Sequence, residues 1–416
     1  MKERLFRFLN FKYAGLQGAS NLLFSAMGAY GAVFLMSKGI PTSQMGILVA
    51  LANIIAIILQ PWLAIRIDRS QRFTIREFCL FLLVPTGLLL IAMLLFPDLQ
   101  FFNAISYTLV LASLFSLMPV VSGAALFFSN RGLPLNFCIG RSFGSFAYAV
   151  GVALLGGWVE QFGTHLVLIC SLVYLGFYML FVQLLPFRKG LELEMIPVNP
   201  PTSENGFEST EEQLPTNSLT EFFLKYRSFV LVLSGIMFFF IFHNIGNTYM
   251  YHIVASLGGG TKEAGFALSL AAILEVPIIL FYEQIARRLG HGNLLIVSGF
   301  SFLIKAVLLL VATTISGVYL SQSFQMLAFA LFTASVVYYT NEVIHPVDLI
   351  KGQAMVTASM AVGGVIGSVI GGFLIDWLSV WHLILFSVIC CLLGGIALYR
   401  GVKNLQQKSD PISSRA

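Results

Sequence analysis

Four ionisable side chains sit deep inside long apolar runs: Arg141 in "NFCIGRSFGSFAYAVG", His243 in "FHNIGNTYMYHI", Glu275 in "ILEVPII" and Lys305 in "FLIKAVLLLV". A charge at the centre of a bilayer costs about 2.5 to 3.5 kcal/mol on insertion scales, and by default such a residue has a function. Glu275, two residues ahead of Pro277, suits a group that loads and unloads a proton or binds a ligand. Its alternative role is a static partner that neutralises Lys305 or Arg141. The planar fork of Arg141 can hold two hydroxyls or one carboxylate at once, or else it snorkels to the membrane surface. The small residues Gly140, Ser142, Gly144, Ser145 and Ala147 around it favour close helix contact beside a cavity. Lys305 reads equally as a solute ligand or as a structural ion-pair partner. Asn244 and Asn247 lie one turn apart with Tyr251 continuing their face. Amides and phenols both donate and accept, which suits a hydroxylated ligand, and they serve interhelical bonding equally well. The same two readings apply to Asn21, Asn53, Gln60 and Gln325.

What must position these groups is a set of membrane helices. Of 416 residues, 57% are hydrophobic and only 10% charged, against about 25% charged in a soluble chain. A bilayer core needs roughly 20 apolar residues per helix, and such runs recur twelve times, at about 12–36, 43–66, 75–96, 101–129, 139–160, 164–186, 228–256, 263–286, 292–314, 316–341, 352–376 and 380–401. The first run reads as a resident helix, since no small-residue cleavage site follows a short apolar core. Lys and Arg crowd the even-numbered loops, with Arg66, Arg69, Arg72 and Arg76 in the second and Arg287 and Arg288 in the eighth. The odd-numbered loops hold only Lys38 and Lys262, so the positive-inside rule predicts cytoplasmic termini and a multi-pass protein of the cytoplasmic membrane. Trp158, Trp377 and Trp381 fall at the opposite helix ends, where amphipathic rings favour the interface. The five cysteines show no metal spacing and read as small buried hydrophobes. The net charge of +5 is thus a topology signal, and neither a nucleic-acid partner, a metal nor a cofactor is expected.

One polar stretch, "KGLELEMIPVNPPTSENGFESTEEQLPTNS", is rich in Pro, Glu and Ser and cannot bury a core. It predicts an N-terminal six-helix bundle over 1–187, a flexible cytoplasmic linker over 188–224, and a C-terminal six-helix bundle with its tail over 225–416. The halves repeat. "GILVALANIIAIILQPWLAIRIDR" from Gly46 lies without gaps on "GFALSLAAILEVPIILFYEQIARR" from Gly265, a shift of 219, which brings Arg69 onto Arg288. Span five lies on span eleven at a shift of 216, where Gly151 meets Gly367, Gly156 meets Gly372 and Glu160 meets Asp376. Two parallel six-helix halves are an architecture from which alternating-access carriers are built. The fold class is therefore all-α, with twelve transmembrane helices in two pseudo-symmetric bundles.

After span two comes "AIRIDRSQRFTIR", where Asp68 is followed by Arg69 and Arg72. It resembles the loop signature of the major facilitator superfamily, with Ala64 where that family usually has Gly. The resemblance implies that Asp68, Arg69 and Arg72 form a conformational gate, while the bland alternative is a solvated basic loop. "MGAY" from Met27, "LQP" from Leu59 and the run from Arg141 to Gly144 narrow the resemblance to the lactose permease branch. That branch implies a sugar-binding role for Arg141, a cavity position for Tyr30 and a basic site residue at Lys305. The chain departs from the pattern where the permease's relay histidine and glutamate become Gln325 and Ala328, its sugar-site glutamate Ala272, and its span-seven aspartates Asn244 and Asn247. Lactose and that proton route are therefore not expected.

Together these readings predict a secondary transporter that acts as a monomer and is no enzyme. Arg141, Tyr30, Asn244, Asn247, Gln325 and Lys305 would bind a small hydroxylated solute, a sugar or related compound, and Glu275 would couple a proton. The alternatives are an efflux carrier for sugars or amphipathic drugs, whose cavity Phe and Met could line, and a non-transporting membrane sensor. A catalytic role finds no support, because the chain has no phosphate-cradling Gly loop, no HExxH and no soluble catalytic domain.

Overall fold

The computed structural model describes residues 2–69, 75–129, 135–185 and 218–409, and among them every regular element is helical. Twelve segments are long and apolar enough to cross a bilayer: Phe8–Ser37, Thr42–Gln60, Ile75–Leu95, Gln100–Ala125, Ile139–Phe162, Leu166–Leu184, Arg227–Thr248, Thr261–Leu289, His291–Leu310, Ile315–Val343, Lys351–Trp377 and Val380–Gln407. Their number and order match the expected spans, with ends that agree to within eight residues. Helices satisfy their own backbone groups where no water can. Large apolar side chains such as Ile58, Leu88 and Leu95 stay exposed at the lipid-facing surface.

The two halves pack alike. Span one lies on spans five and six, and span seven lies on spans eleven and twelve. Between the halves, span five packs on span eight and span eleven packs on span two. Even the interruptions correspond. Span one consists of helices Lys2–Met27 and Gly31–Ser37, with Tyr30 capping the second, and span seven of helices Arg227–Thr248 and Met250–Ala255, with Tyr249 at the break. Tyr30 and Tyr249 are 219 positions apart, the shift already carried by span two.

These tyrosines belong to a seam that joins the halves at the odd-loop end. Tyr30 donates its hydroxyl to the Val152 carbonyl at 2.8 Å and lies 3.3 Å from that of Thr261, while Tyr249 donates to the Ser368 carbonyl at 2.5 Å. Glu160, ending span five, accepts from the Lys262 backbone N–H at the start of span eight (3.0 Å), and Asp376, ending span eleven, accepts from the Ser43 N–H at the start of span two (2.6 Å). An anion at a helix N-terminus satisfies an orphan donor and complements the helix dipole. Glycine permits the approach. A Cβ on Gly156 would strike the Thr261 carbonyl and one on Gly372 the Thr42 carbonyl, while Gly265 and Gly46 meet the Tyr30 and Tyr249 hydroxyls in the same way.

At the other end, the residues just ahead of span seven, where the sequence predicts the last part of a linker, carry a short helix. Ser218 accepts from the Glu221 N–H (3.1 Å) and starts a helix over Leu219–Lys225, because Ser at an N-cap supplies the acceptor the first turn lacks. Lys225 reaches Asp348 at 3.0 Å and Lys351 lies 3.7 Å from the same fully buried carboxylate, which also accepts from the Tyr226 hydroxyl (3.2 Å).

Candidate functional site

The seam ends where a cavity of about 630 Å3 begins. On span two the seam uses Thr42 to Gly46 and the cavity Asn53, Ala56 and Gln60; on span five the seam uses Val152 to Glu160 and the cavity Arg141, Ser145 and Tyr148. Spans eight and eleven repeat the order, with cavity positions Leu268 to Glu275 and Ala354 to Gly364. All of them lie on the even-loop side of the seam. The volume falls in the range of small-molecule sites, roughly 300 to 1,000 Å3.

Asn136 accepts from the Ile139 N–H (3.0 Å) and so starts the span-five helix five residues before Arg141. The Arg141 guanidinium donates to Ser145 Oγ, one turn on, at 2.7 Å. Across the cavity Glu275 Oε1 accepts from Gln325 Nε2 at 3.1 Å, and Gln325 Oε1 accepts in turn from Lys305 Nζ at 2.5 Å. Two backbone irregularities flank this chain of three. Pro277 has no N–H to bond the Ile273 carbonyl, and a π-helical turn over Met326–Ala330 follows Gln325 directly.

Amides line both walls. Asn21 donates to the Gln17 carbonyl (2.9 Å), Asn53 to that of Val49 (2.9 Å) and Gln60 to that of Phe115 (3.0 Å). On span seven, Asn244 Oδ1 accepts from Ser368 Oγ (2.7 Å) and Thr248 Oγ1 (3.3 Å), and Asn247 bonds His243 at 3.0 Å. The His243 ring stacks on Phe329 with centroids 4.2 Å apart and planes 4° from parallel. Phe24, Phe115 and Met118 in the N-terminal half and Phe240 in the other add apolar lining. The cavity therefore offers fixed polar groups and a broad aromatic surface, which is what a small molecule with hydroxyls and an apolar face requires.

The structure brings Arg141, Asn244, Asn247, Gln325 and Glu275 together in one cavity, along with His243. It places two expected solute ligands elsewhere. Tyr30 is 2% exposed and spends its hydroxyl on the seam. Lys305 is buried behind Gln325, and its backbone carbonyl accepts from Ser321, so it has the polar neighbours that its apolar sequence context hid. Nor does Glu275 take Arg141 as its hydrogen-bond partner, since the amide of Gln325 occupies it instead. Of the expected gate, the side chains of Asp68 and Arg69 and the whole of Arg72 lie outside the described residues. Sequence reasoning missed Tyr249, although the 219-residue shift points to it, and Tyr148, which nothing in its local pattern marks.

Comparisons with known proteins agree with this architecture. The nucleoside transporter NupG, in a mutant form, superposes with a TM-score of 0.76 at 13% identity, covering 94% of this chain and 99% of that one. A bacterial homologue of the iron transporter ferroportin gives 0.65 at 13% identity, covering 95% and 98%, and a peptide transporter gives 0.67 at 14%, covering 94% and 93%. Identities this low show the fold alone. No curated protein matches the sequence. Residues 14–386, however, match the MFS_1 like family. The chain belongs to that family, and with its twelve candidate spans it is a multi-pass membrane transporter of the major facilitator type, not an enzyme.

Proposed function

We propose that this protein is a secondary transporter carrying a small hydroxylated solute, a sugar or related compound, by alternating access. The observation that carries this reading is a cavity walled by polar groups of both halves and closed at one end by paired contacts between them. Breaking the seam and closing the opposite end would turn the same groups to the other side. Lysine and arginine placement puts the sealed end outside and both termini in the cytoplasm, so the closed seam corresponds to a cavity facing inward. Glu275 is the group we assign to proton coupling, because it is the cavity's carboxylate and is held by a neutral amide. Loss of that proton would leave a charge that the solute and Arg141 must accommodate before the halves rock. Asn244, Asn247 and Gln325 supply amides for hydroxyls, the protein works as a monomer, and the resemblance to a permease favours uptake. The nucleosides carried by one structural neighbour also combine hydroxyls with a flat ring, so they belong in the first panel tested.

The aromatic lining formed by Phe24, Phe115, Phe240 and Phe329 favours a second reading, efflux of an amphipathic compound. Purified protein in liposomes with an imposed proton gradient separates the two. Uptake of a labelled sugar or nucleoside driven by inward protons supports the first, extrusion of an amphipathic dye supports the second, and no flux of any solute would leave a sensor.

A further inference from the structure

The charges of the cavity do not balance, and the way they are paired says what is missing. Glu275 is linked through Gln325 to Lys305, the carboxylate accepting from the amide N–H and the amide oxygen accepting from the ammonium. With Glu275 ionised, this joins one anion to one cation through a single neutral spacer. Arg141 lies in the field of the same carboxylate, so two cations share one anion, and Arg141 has no carboxylate hydrogen-bonded to it. Its hydrogen bond goes to Ser145 Oγ, a neutral hydroxyl on its own helix, whereas a guanidinium presents five N–H donors in a fork shaped for a carboxylate. The amides around it provide no charge. Asn21, Asn53 and Gln60 each commit one of their two N–H donors to a backbone carbonyl, which fixes the amide and presents its oxygen as an acceptor. A cation removed from water without an anion is costly, and the cost disappears when a bound anion supplies the partner.

Resting on the transport reading above, we infer that the solute is a hydroxylated monocarboxylate, whose carboxylate occupies the open fork of Arg141 and whose hydroxyls donate to the amide oxygens of Asn21, Asn53 and Gln60. One unmatched positive charge in the wall selects one negative charge in the ligand, so a neutral sugar leaves Arg141 unpaired and a doubly charged phosphate overshoots. Asn244, whose oxygen is already used by Ser368 and Thr248, presents its N–H groups to the far end of the same molecule. Aromatic side chains of both halves, Phe24 and Phe240 among them, accept the molecule's carbon-bearing face. The class is that of sugar acids and related hydroxy acids.

The test uses the purified full chain and two matched sets of probes: gluconate and glucuronate, and their neutral counterparts sorbitol and glucose. Thermal stabilisation is measured with each, for the wild type and for Arg141→Lys and Arg141→Gln. The carboxylates should stabilise the wild type while the neutral compounds do not. Arg141→Lys should weaken carboxylate binding roughly 10- to 100-fold, the usual worth of a charge-assisted bidentate contact, and Arg141→Gln should remove it. Should either variant fail to fold, the wild type in liposomes on a capacitive electrode still decides. Proton-driven entry of a monoanion with one proton moves no net charge, whereas entry of a neutral sugar with one proton moves one. Flux of a neutral sugar accompanied by current overturns the anion while leaving the transporter standing; binding and flux of neither class by folded protein overturns the anion and undercuts the transport reading with it.

Discussion

Spans two, five, eight and eleven run through both the outer seam and the central cavity, yet the two regions treat the internal repeat in opposite ways. In the seam each half reproduces the other. Tyr30 has Tyr249, Glu160 has Asp376, Gly156 has Gly372 and Gly46 has Gly265, with matching acceptors. At the cavity the likeness ends, for Arg141 comes from the N-terminal half and Glu275, Gln325 and Lys305, on spans eight, ten and nine, from the other. In the proposed alternating-access cycle, opening and closing is a motion of two bodies about one axis, so symmetric contacts let both sides release together. Binding an asymmetric solute has no such requirement. On that proposal the repeat persists where the task is movement and has been lost where the task is recognition.

The comparison can be broken most severely at the cavity. Glu275→Gln removes the titratable carboxylate while keeping its shape, and proton-driven accumulation in liposomes should vanish while solute exchange survives; unchanged accumulation would shift coupling to another group. Next in size is the seam's close approach. Gly156→Leu and Gly372→Leu each force a side chain onto a facing backbone carbonyl, and overpacking of this kind costs about 1 to 3 kcal/mol. Spin-label distances across the odd-loop end should lengthen by similar amounts for both, and a large effect at one position alone would show that the two sides do not act together. Tyr30→Phe removes the hydroxyl that reaches the Thr261 carbonyl of the other half, a contact worth about 1 kcal/mol and about a fivefold shift toward the seam-open state, whereas the Tyr249 hydroxyl bonds Ser368 within its own half. The same distance measurement should shift for Tyr30→Phe and stay near the wild-type value for Tyr249→Phe.

The smallest effect is expected far from both regions. The ammonium of Lys225 is drawn down by burial, but its hydrogen bond to Asp348 prevails and holds its pKa above the ordinary 10.5. Because the folded value is the higher one, its contribution is fully present below the unfolded lysine pKa and is lost as pH rises through the folded value. Thermal stability in detergent should fall more steeply above pH 10.5 in wild type than in Lys225→Met, a slight difference because the pair is partly exposed.

How much of this was legible follows from what apolar runs can encode. Length and composition fix the number of spans, since lipid demands a minimum of apolar residues whatever lies on the other side of the helix. Facing is another matter. A helix between lipid and an apolar core is hydrophobic all round, so nothing in "FLIKAVLLLV" reveals that Lys305 points behind the cavity rather than into it. Arg141, Glu275, Asn244 and Asn247 were found because a polar group in such a run is conspicuous by itself. Tyr30 misled because a tyrosine suits a cavity and a seam equally. Only its counterpart at Tyr249, read at the 219-residue shift, separates the two.

The seam also determines which mutations the protein can absorb. Its tyrosine hydroxyls end on the main-chain oxygens of Val152 and Ser368, and its acids on the main-chain N–H groups of Lys262 and Ser43. Every residue has such an oxygen and all but proline such an N–H, so these main-chain partners survive exchange of the side chain. The seam is stricter where side chains take part, for Thr42 and Ser43 also bond Asp376 through their hydroxyls and Thr261 donates its own to the Gly156 carbonyl. On the proposed mechanism, a carrier that keeps these few positions, the two tyrosines, the two acids and the glycines keeps its motion, which leaves the cavity free to evolve toward new solutes.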